Sequence, residues 1–220
     1  MNKILFVDDE LNIRRLVAYD LKQAGYDYTL CENGEEAYQV CLKEHYDVII
    51  VDWMMPLMDG LTLVKKLRSN HNPAIILMLT AKAGEDSLLE AFEAGVDDYM
   101  HKPFSSRELI VRIKAHLARV QPINNSSLNY QDIKVQINSR SVFILENEIL
   151  LTKLEFDLLA LFIQENHKVL SRDQLLNKIW GFDYDGDTRI VDIHVFNLRQ
   201  KIKTSKVEIK SSRGIGYQLV

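Results

Sequence analysis

The 220-residue chain carries only two cysteines, four prolines and nine glycines. Cys31 and Cys41 follow neither metal-type spacing nor a disulfide framework, so they read as reduced thiols of a cytoplasmic protein. The scarce glycine and proline, with 47% hydrophobic and 26% charged residues, match a soluble globular protein. No apolar run approaches the roughly 20 residues a membrane helix needs. The opening MNKILFVDDE reads as a core strand rather than a signal peptide, because two acids interrupt its apolar run. A general excess of positive charge is missing too: the net charge is -4. Its distribution is uneven, however. From Thr188 onward seven basic residues stand against two acids, the footprint of a nucleic-acid-binding end.

What the chain does contain is organised around Val48 to Gly60, VIIVDWMMPLMDG. Val48 to Val51 is a continuous β-branched run, the signature of a strand buried on both faces, and it ends on Asp52. Pro56 and Asp59-Gly60 then turn the chain. On either side the pattern alternates. Strands are expected at 3–8, 27–31 and 74–79, the last ending in Thr80, and a short one lies near 97–100. Helices are expected at 10–24, from Asn33-Gly34-Glu35-Glu36, at 60–69, up to Ala94, and from the capping box Ser105-Ser106-Arg107-Glu108 to Val120. Five strands alternating with five helices predict a parallel sheet covered on both faces.

In such a sheet ligands bind at the carboxyl ends of the strands. Those ends carry Asp8 and Asp9, Asp52, Thr80 and Lys102. Each has a bland reading: Asp9 as a helix cap, Thr80 as a loop cap, Lys102 as a solvated charge. Together, three carboxylates suit Mg²⁺ with phosphate and water completing its shell. The hydroxyl and the ammonium add a donor and a positive charge for a phosphoryl group. Residues 1–120 resemble the receiver domain of a two-component response regulator. That resemblance implies a flavodoxin-like fold of strand order 2-1-3-4-5, with Asp52 accepting a phosphoryl group from a sensor histidine kinase. It also implies Mg²⁺ held by Asp8, Asp9, Asp52 and the Met54 backbone carbonyl. Thr80 and Lys102 would contact the phosphoryl oxygens, Tyr99 would be the aromatic switch partner of Thr80, and the Lys102–Pro103 bond would be cis.

Gln121 to Ser127 is polar, uncharged and proline-containing, as a linker would be. Strands follow at 133–137 and 142–145, with turns at Asn138-Ser139-Arg140 and Glu146-Asn147-Glu148. Thr152-Lys153-Leu154-Glu155 and Ser171-Arg172-Asp173-Gln174 open two helices, the first burying Phe156, Leu159, Leu161 and Ile163. A third helix, about 188–203, buries Val191, Val195, Leu198 and Ile202, and a hairpin turning near Ser211 to Gly214 ends the chain. This order is that of a winged helix-turn-helix. Residues 128–220 resemble the OmpR/PhoB-type effector domain through LTKLEFDLL, SRDQLLNKIWG, DTRIVDIHVFNLRQKI and SRGIGY. Promoter DNA is then the partner. Arg189, Ile193, His194, Asn197 and Arg199 would face it, with Arg213 and Tyr217 in the wing, and Phe182 to Asp187 would meet RNA polymerase. Phe196 and Asn197 depart from relatives that carry basic residues there. Asn can pair bidentately with adenine, so an A·T-richer site and a flatter salt dependence are expected.

Activation in this subfamily implies a homodimer through the fourth helix, fifth strand and fifth helix. Asp97, Asp98, Glu108, Arg112 and Arg119 would supply cross-subunit charges, and Leu88 replaces the usual basic partner of Glu108. Rival readings lack their marks. An Asp-nucleophile phosphatase needs a second Asp where Met54 stands, and a dinucleotide-binding enzyme needs a Gly-x-Gly-x-x-Gly where Asp8-Asp9-Glu10 stands. A regulator working without phosphate remains as an alternative.

Overall fold

The computed structural model describes residues 2–81, 84–117, 127–181 and 188–220. Arg119, Val120, the linker 121–126 and the loop Phe182 to Asp187 lie outside the described residues. The chain divides into two compact units, Met1–Lys114 and Ala115–Val220, a division that falls inside the fifth helix rather than after Val120.

The first unit alternates β1 (Lys3–Val7), α1 (Leu11–Gln23), β2 (Asp27–Cys31), α2 (Gly34–Cys41), β3 (Val48–Asp52), α3 (Gly60–Ser69), β4 (Ile75–Thr80), α4 (Glu85–Glu93), β5 (Asp98–His101) and α5 (Ser106–Leu117). Its sheet runs β2-β1-β3-β4-β5, all parallel, as expected from the resemblance. Position in the sheet explains the sequence pattern. The central strands β3 and β4 are buried throughout and read as unbroken apolar runs, whereas the edge strands β2 and β5 carry exposed polar residues.

The helices start where side chains supply the missing acceptors. Asn33 accepts from the Glu36 amide to open α2, and Asp59 accepts from the Thr62 amide to open α3. Gly60 is required by proximity: a Cβ there would lie 2.2 Å from the Asp52 carbonyl oxygen. The start of α3 is thereby pressed onto the end of β3, and the Gly60 amide donates to the Trp53 carbonyl at 2.9 Å. The Lys102–Pro103 bond is cis.

The second unit opens with an antiparallel sheet of β6 (Ser127–Tyr130), β7 (Ile133–Gln136), β8 (Ser141–Ile144) and β9 (Asn147–Ile149). Two of these strands differ from expectation. Ser127 to Tyr130 is a strand, and the turn between β8 and β9 sits at Leu145 and Glu146, both at positive φ, so Asn147 and Glu148 belong to β9. Then come α6 (Lys153–Gln164), β10 (Leu170–Ser171), α7 (Arg172–Ile179), α8 (Arg189–Ile202), β11 (Ile209–Ser212) and β12 (Gly216–Leu219). Both capping boxes expected in this unit form, Thr152 with Glu155 and Ser171 with Gln174. The apolar face of α6 includes Leu154, Leu158 and Phe162 beside Phe156, Leu159 and Ile163, while Leu161 is only half-buried. Val191, Val195, Leu198 and Ile202 form the buried stripe of α8. β12 pairs with β11 and with the short β10, giving the winged-helix order. Among the described residues no helix is long and apolar enough to cross a membrane.

Candidate functional site

Parallel register brings the carboxyl ends of β1, β3, β4 and β5 to one rim of the sheet, and the chemistry expected there converges. One carboxylate oxygen each from Asp8, Asp9 and Asp52 lies within 4.8 Å of the others. Asp8 and Asp52 are buried and Asp9 is exposed. The Glu10 amide donates to Asp8 Oδ1, and the Arg14 guanidinium donates to the Asp8 carbonyl, so Asp8 is held from two sides. Asp9 does not cap α1, since the cap position is Glu10 and its side chain makes no capping bond.

Opposite the acids stands Lys102. Its Nζ lies 2.8 Å from Asp8 Oδ2 and 3.0 Å from Asp52 Oδ2, with Glu10 farther off at 3.7 Å. The Lys102 amide donates to the Thr80 carbonyl, which ties β5's exit to the end of β4. Burial raises the Asp52 carboxyl above its ordinary value; Lys102 works against that rise and Asp8 adds to it. Burial alone would lower the Lys102 ammonium, yet hydrogen bonds to Asp8 and Asp52 lift it on balance above its ordinary value. A buried carboxylate beside an ammonium, facing two further acids, is an arrangement for a hard divalent cation and an incoming phosphoryl group. All donors are oxygens, as Mg²⁺ prefers, and the exposed Asp9 leaves the cluster open to solvent on one side.

Thr80 is buried in register with His101. Tyr99 packs edge-on against Phe92 at 5.8 Å and His101 at 5.2 Å. The thiols of Cys31 and Cys41 are pushed up to about 12 by burial, so neither is a thiolate at neutral pH.

The charges expected to reach across a dimer are placed differently from one another. Asp97 is a correction: it is 1% exposed, pairs with Arg68 at 2.5 Å and accepts from the Ile76 amide. Arg68 also donates to the carbonyls of Gly95, Asn72 and Ala74. Asp97 therefore fixes the β4–β5 region from inside and offers no outward charge. Asp98 is also buried, and within the chain it accepts from Arg112, which in turn reaches the exposed Glu108 at 3.0 Å. Leu88 is half-buried on α4.

In the second unit Arg189 and Arg213 are exposed, and Ile193, Asn197 and Arg199 are half-buried. Two expectations need correction. His194 is 3% exposed with its ring 5.3 Å from that of Trp180, because it lies on the same helical stripe as Val191 and Leu198. Tyr217 is buried as well, since it alternates with Leu219 on the inner face of β12. Its hydroxyl donates to Asp192 Oδ1 at 2.6 Å, and the Arg172 guanidinium donates to the same oxygen at 2.7 Å. Arg172 and Arg199 both stack near the Tyr217 ring, at 5.2 and 5.3 Å. Arg199 further donates to the Ile209 carbonyl and Ser211 Oγ. This cluster, unforeseen in the sequence because Arg172, Asp192 and Ser211 come from three separate elements, clamps α8 to the wing.

Comparison with known proteins agrees with this division. The family described as "Response regulator receiver domain" matches residues 4–114, and "Transcriptional regulatory protein, C terminal" matches residues 146–219. The chain is 40% identical to the alkaline phosphatase synthesis transcriptional regulatory protein PhoP of Bacillus subtilis, over 99% of this chain and 96% of PhoP. It is 37% identical to the transcriptional regulatory protein SrrA of Staphylococcus aureus, over 99% of this chain and 95% of SrrA. A solved structure of a RitR mutant superposes with a TM-score of 0.80 at 27% identity, covering 100% of this chain and 99% of that one.

Proposed function

Since the chain belongs to the OmpR/PhoB family of two-component response regulators, transcriptional regulators with a receiver and a DNA-binding domain, we propose that Asp52 is its phosphoacceptor. The observation that carries this reading is the meeting of Asp8, Asp9 and Asp52 with the Lys102 ammonium at one rim of the sheet. Asp52 Oδ attacks the phosphorus of a phosphohistidine on the partner kinase. The P–N bond breaks, and the imidazole keeps the electron pair and takes up a proton. Mg²⁺, held by Asp8, Asp9, Asp52 and the Met54 carbonyl, supplies charge neutralisation to the phosphoryl oxygens when bound. Lys102 orients and neutralises Asp52 before transfer, and afterwards holds a phosphoryl oxygen while keeping its bond to Asp8. The Thr80 hydroxyl takes a second phosphoryl oxygen, and Tyr99 follows Thr80 inward. The surface of α4, β5 and α5 then pairs with that of a second copy, with the exposed Glu108 and its neighbour Arg112 as the charges nearest that surface and the buried Asp98 holding Arg112 in place. Dimerisation places two winged helices on adjacent half-sites of promoter DNA, where effective concentration raises their joint affinity. In each copy Arg189, Ile193, Asn197 and Arg213 meet the duplex, with Arg199 held at the helix–wing junction. Residues 1–120 form the receiver and the linker is 121–126, because Ser127, expected in the linker, is the first residue of β6 and belongs with the DNA-binding domain. The setting is cytoplasmic, where kinase, DNA and RNA polymerase are at hand.

The test is intact mass and solution size after incubation with Mg²⁺ and a small acyl-phosphate donor. A labile phosphoryl adduct with a shift toward dimer is expected, and Asp52→Ala should show neither. An unmodified wild-type chain would favour control without phosphate.

A further inference from the structure

The stripe of α8 that would enter the major groove carries an apolar side chain the fold does not use. Phe196 is 56% exposed, whereas Ile190, Val191, Val195, Leu198 and Ile202 of the same helix are buried. A single exposed aromatic is ordinary on a protein surface. What distinguishes Phe196 is its company. Ile193, Phe196, Asn197 and Gln200 fall at i, i+3, i+4 and i+7, so they share one face, opposite the buried stripe. At 1.5 Å per residue that face spans about 10 Å, roughly three base-pair steps of 3.4 Å. The helix's one acid, Asp192, is engaged by Arg172 and Tyr217 and so does not confront the duplex with an unpaired negative charge. Beyond Arg189 in its first turn, the readout face is thus uncharged, with apolar groups beside one amide pair.

We propose that this face reads thymine methyl groups, with Phe196 as the specificity-determining residue and Ile193 beside it. The proposal rests on the DNA-binding reading above and specifies what that domain selects. In the major groove only thymine among the four bases presents a methyl, and apolar side chains such as Phe recognise it. A guanine or cytosine at the same step would leave polar edge atoms against the benzyl ring without hydrogen-bond partners. Asn197, one residue on, suits the N6/N7 edge of an adenine neighbouring that thymine. The selected half-site is therefore a short run of A·T pairs in which the methyls, more than hydrogen bonds, carry the discrimination.

The full chain, treated with Mg²⁺ and the acyl-phosphate donor, is used to select binding sites from random duplex DNA. Each thymine of the selected half-site is then replaced by deoxyuridine, which removes only the methyl. Wild type should bind about fourfold more weakly at the contacted thymine, the value of one buried methylene. Phe196→Ala should bind thymine and uracil forms equally. Phe196→Arg should bind most sequences more tightly, with a steeper salt dependence and no methyl preference. Circular dichroism of both variants should be unchanged, because the ring lies outside the core. Equal losses on uracil substitution in wild type and Phe196→Ala, or none in either, would overturn the proposal while leaving DNA binding intact. Failure of wild type to enrich any sequence would instead defeat the DNA-binding reading beneath it.

Discussion

Replacing Lys102 with methionine keeps the length of the side chain and removes its charge from between two buried carboxylates. The ammonium lies 2.8 Å from Asp8 and 3.0 Å from Asp52, and the three side chains are 14%, 0% and 7% exposed. Each attraction is worth about 4 kcal/mol at 4 Å and an effective dielectric near 20, much of it offset by desolvation. The measured outcome of breaking such a buried pair is a loss of about 3–5 kcal/mol. A domain of this size has only about 5–15 kcal/mol to lose. With a urea m-value of about 2 kcal/mol/M, the unfolding midpoint should fall by about 2 M. Each unit contains one of the two tryptophans, Trp53 and Trp180, both buried, so fluorescence of the Trp180→Phe background reports the receiver alone. In an Asp52→Asn background the same replacement should cost less, with a coupling of about 0.5–3 kcal/mol, because one carboxylate is already gone. Saturating Mg²⁺, at about 100 times its dissociation constant, should return about 2.7 kcal/mol. A midpoint shift below about 0.5 M, or strict additivity with Asp52→Asn, would refute the claim that Lys102 neutralises this cluster.

Three further outcomes follow from the same geometry. Burial raises the Asp52 carboxyl, so its ionisation is a cost that is absent below the ordinary value of 3.8 and grows as pH rises through the raised one; Asp52→Asn should therefore raise the receiver's melting temperature at pH 7 and lose that advantage near about pH 3.5. Gly60→Ala places a methyl 2.2 Å from the Asp52 carbonyl oxygen, which should cost about 1–3 kcal/mol in urea unfolding and slow phosphoryl uptake by displacing β3's end. Tyr217→Phe deletes the donor to Asp192 and should destabilise the second unit by about 1 kcal/mol, weakening DNA binding evenly across sequences in anisotropy titrations.

The parts of the structure legible from sequence are those governed by local physics. The run at Val48 to Asp52 reads as a buried strand because both faces are apolar, and α3 and the two capping boxes announce their own first residues. The strands β6 and β9 escaped because they are short, polar edge strands whose pairing comes from a partner elsewhere in the chain. At the site, the acids and Lys102 were legible through their shared place at strand ends. The burial of His194 was available in its spacing from Val191 and Leu198, and that of Tyr217 in its alternation with Leu219. Asp97, just before β5, carries no such local sign, since its partner Arg68 lies on α3. The Arg172–Asp192–Tyr217 cluster is likewise a product of tertiary packing between α7, α8 and β12.

The central claim is that a phosphoryl group on Asp52 controls DNA binding, and the most direct measurement is affinity for a selected duplex before and after acyl-phosphate treatment with Mg²⁺. Wild type should bind at least about tenfold more tightly after treatment, about 1.4 kcal/mol, and Asp52→Asn should not respond. Equal affinity before and after treatment in wild type, with the adduct verified by mass, would contradict it.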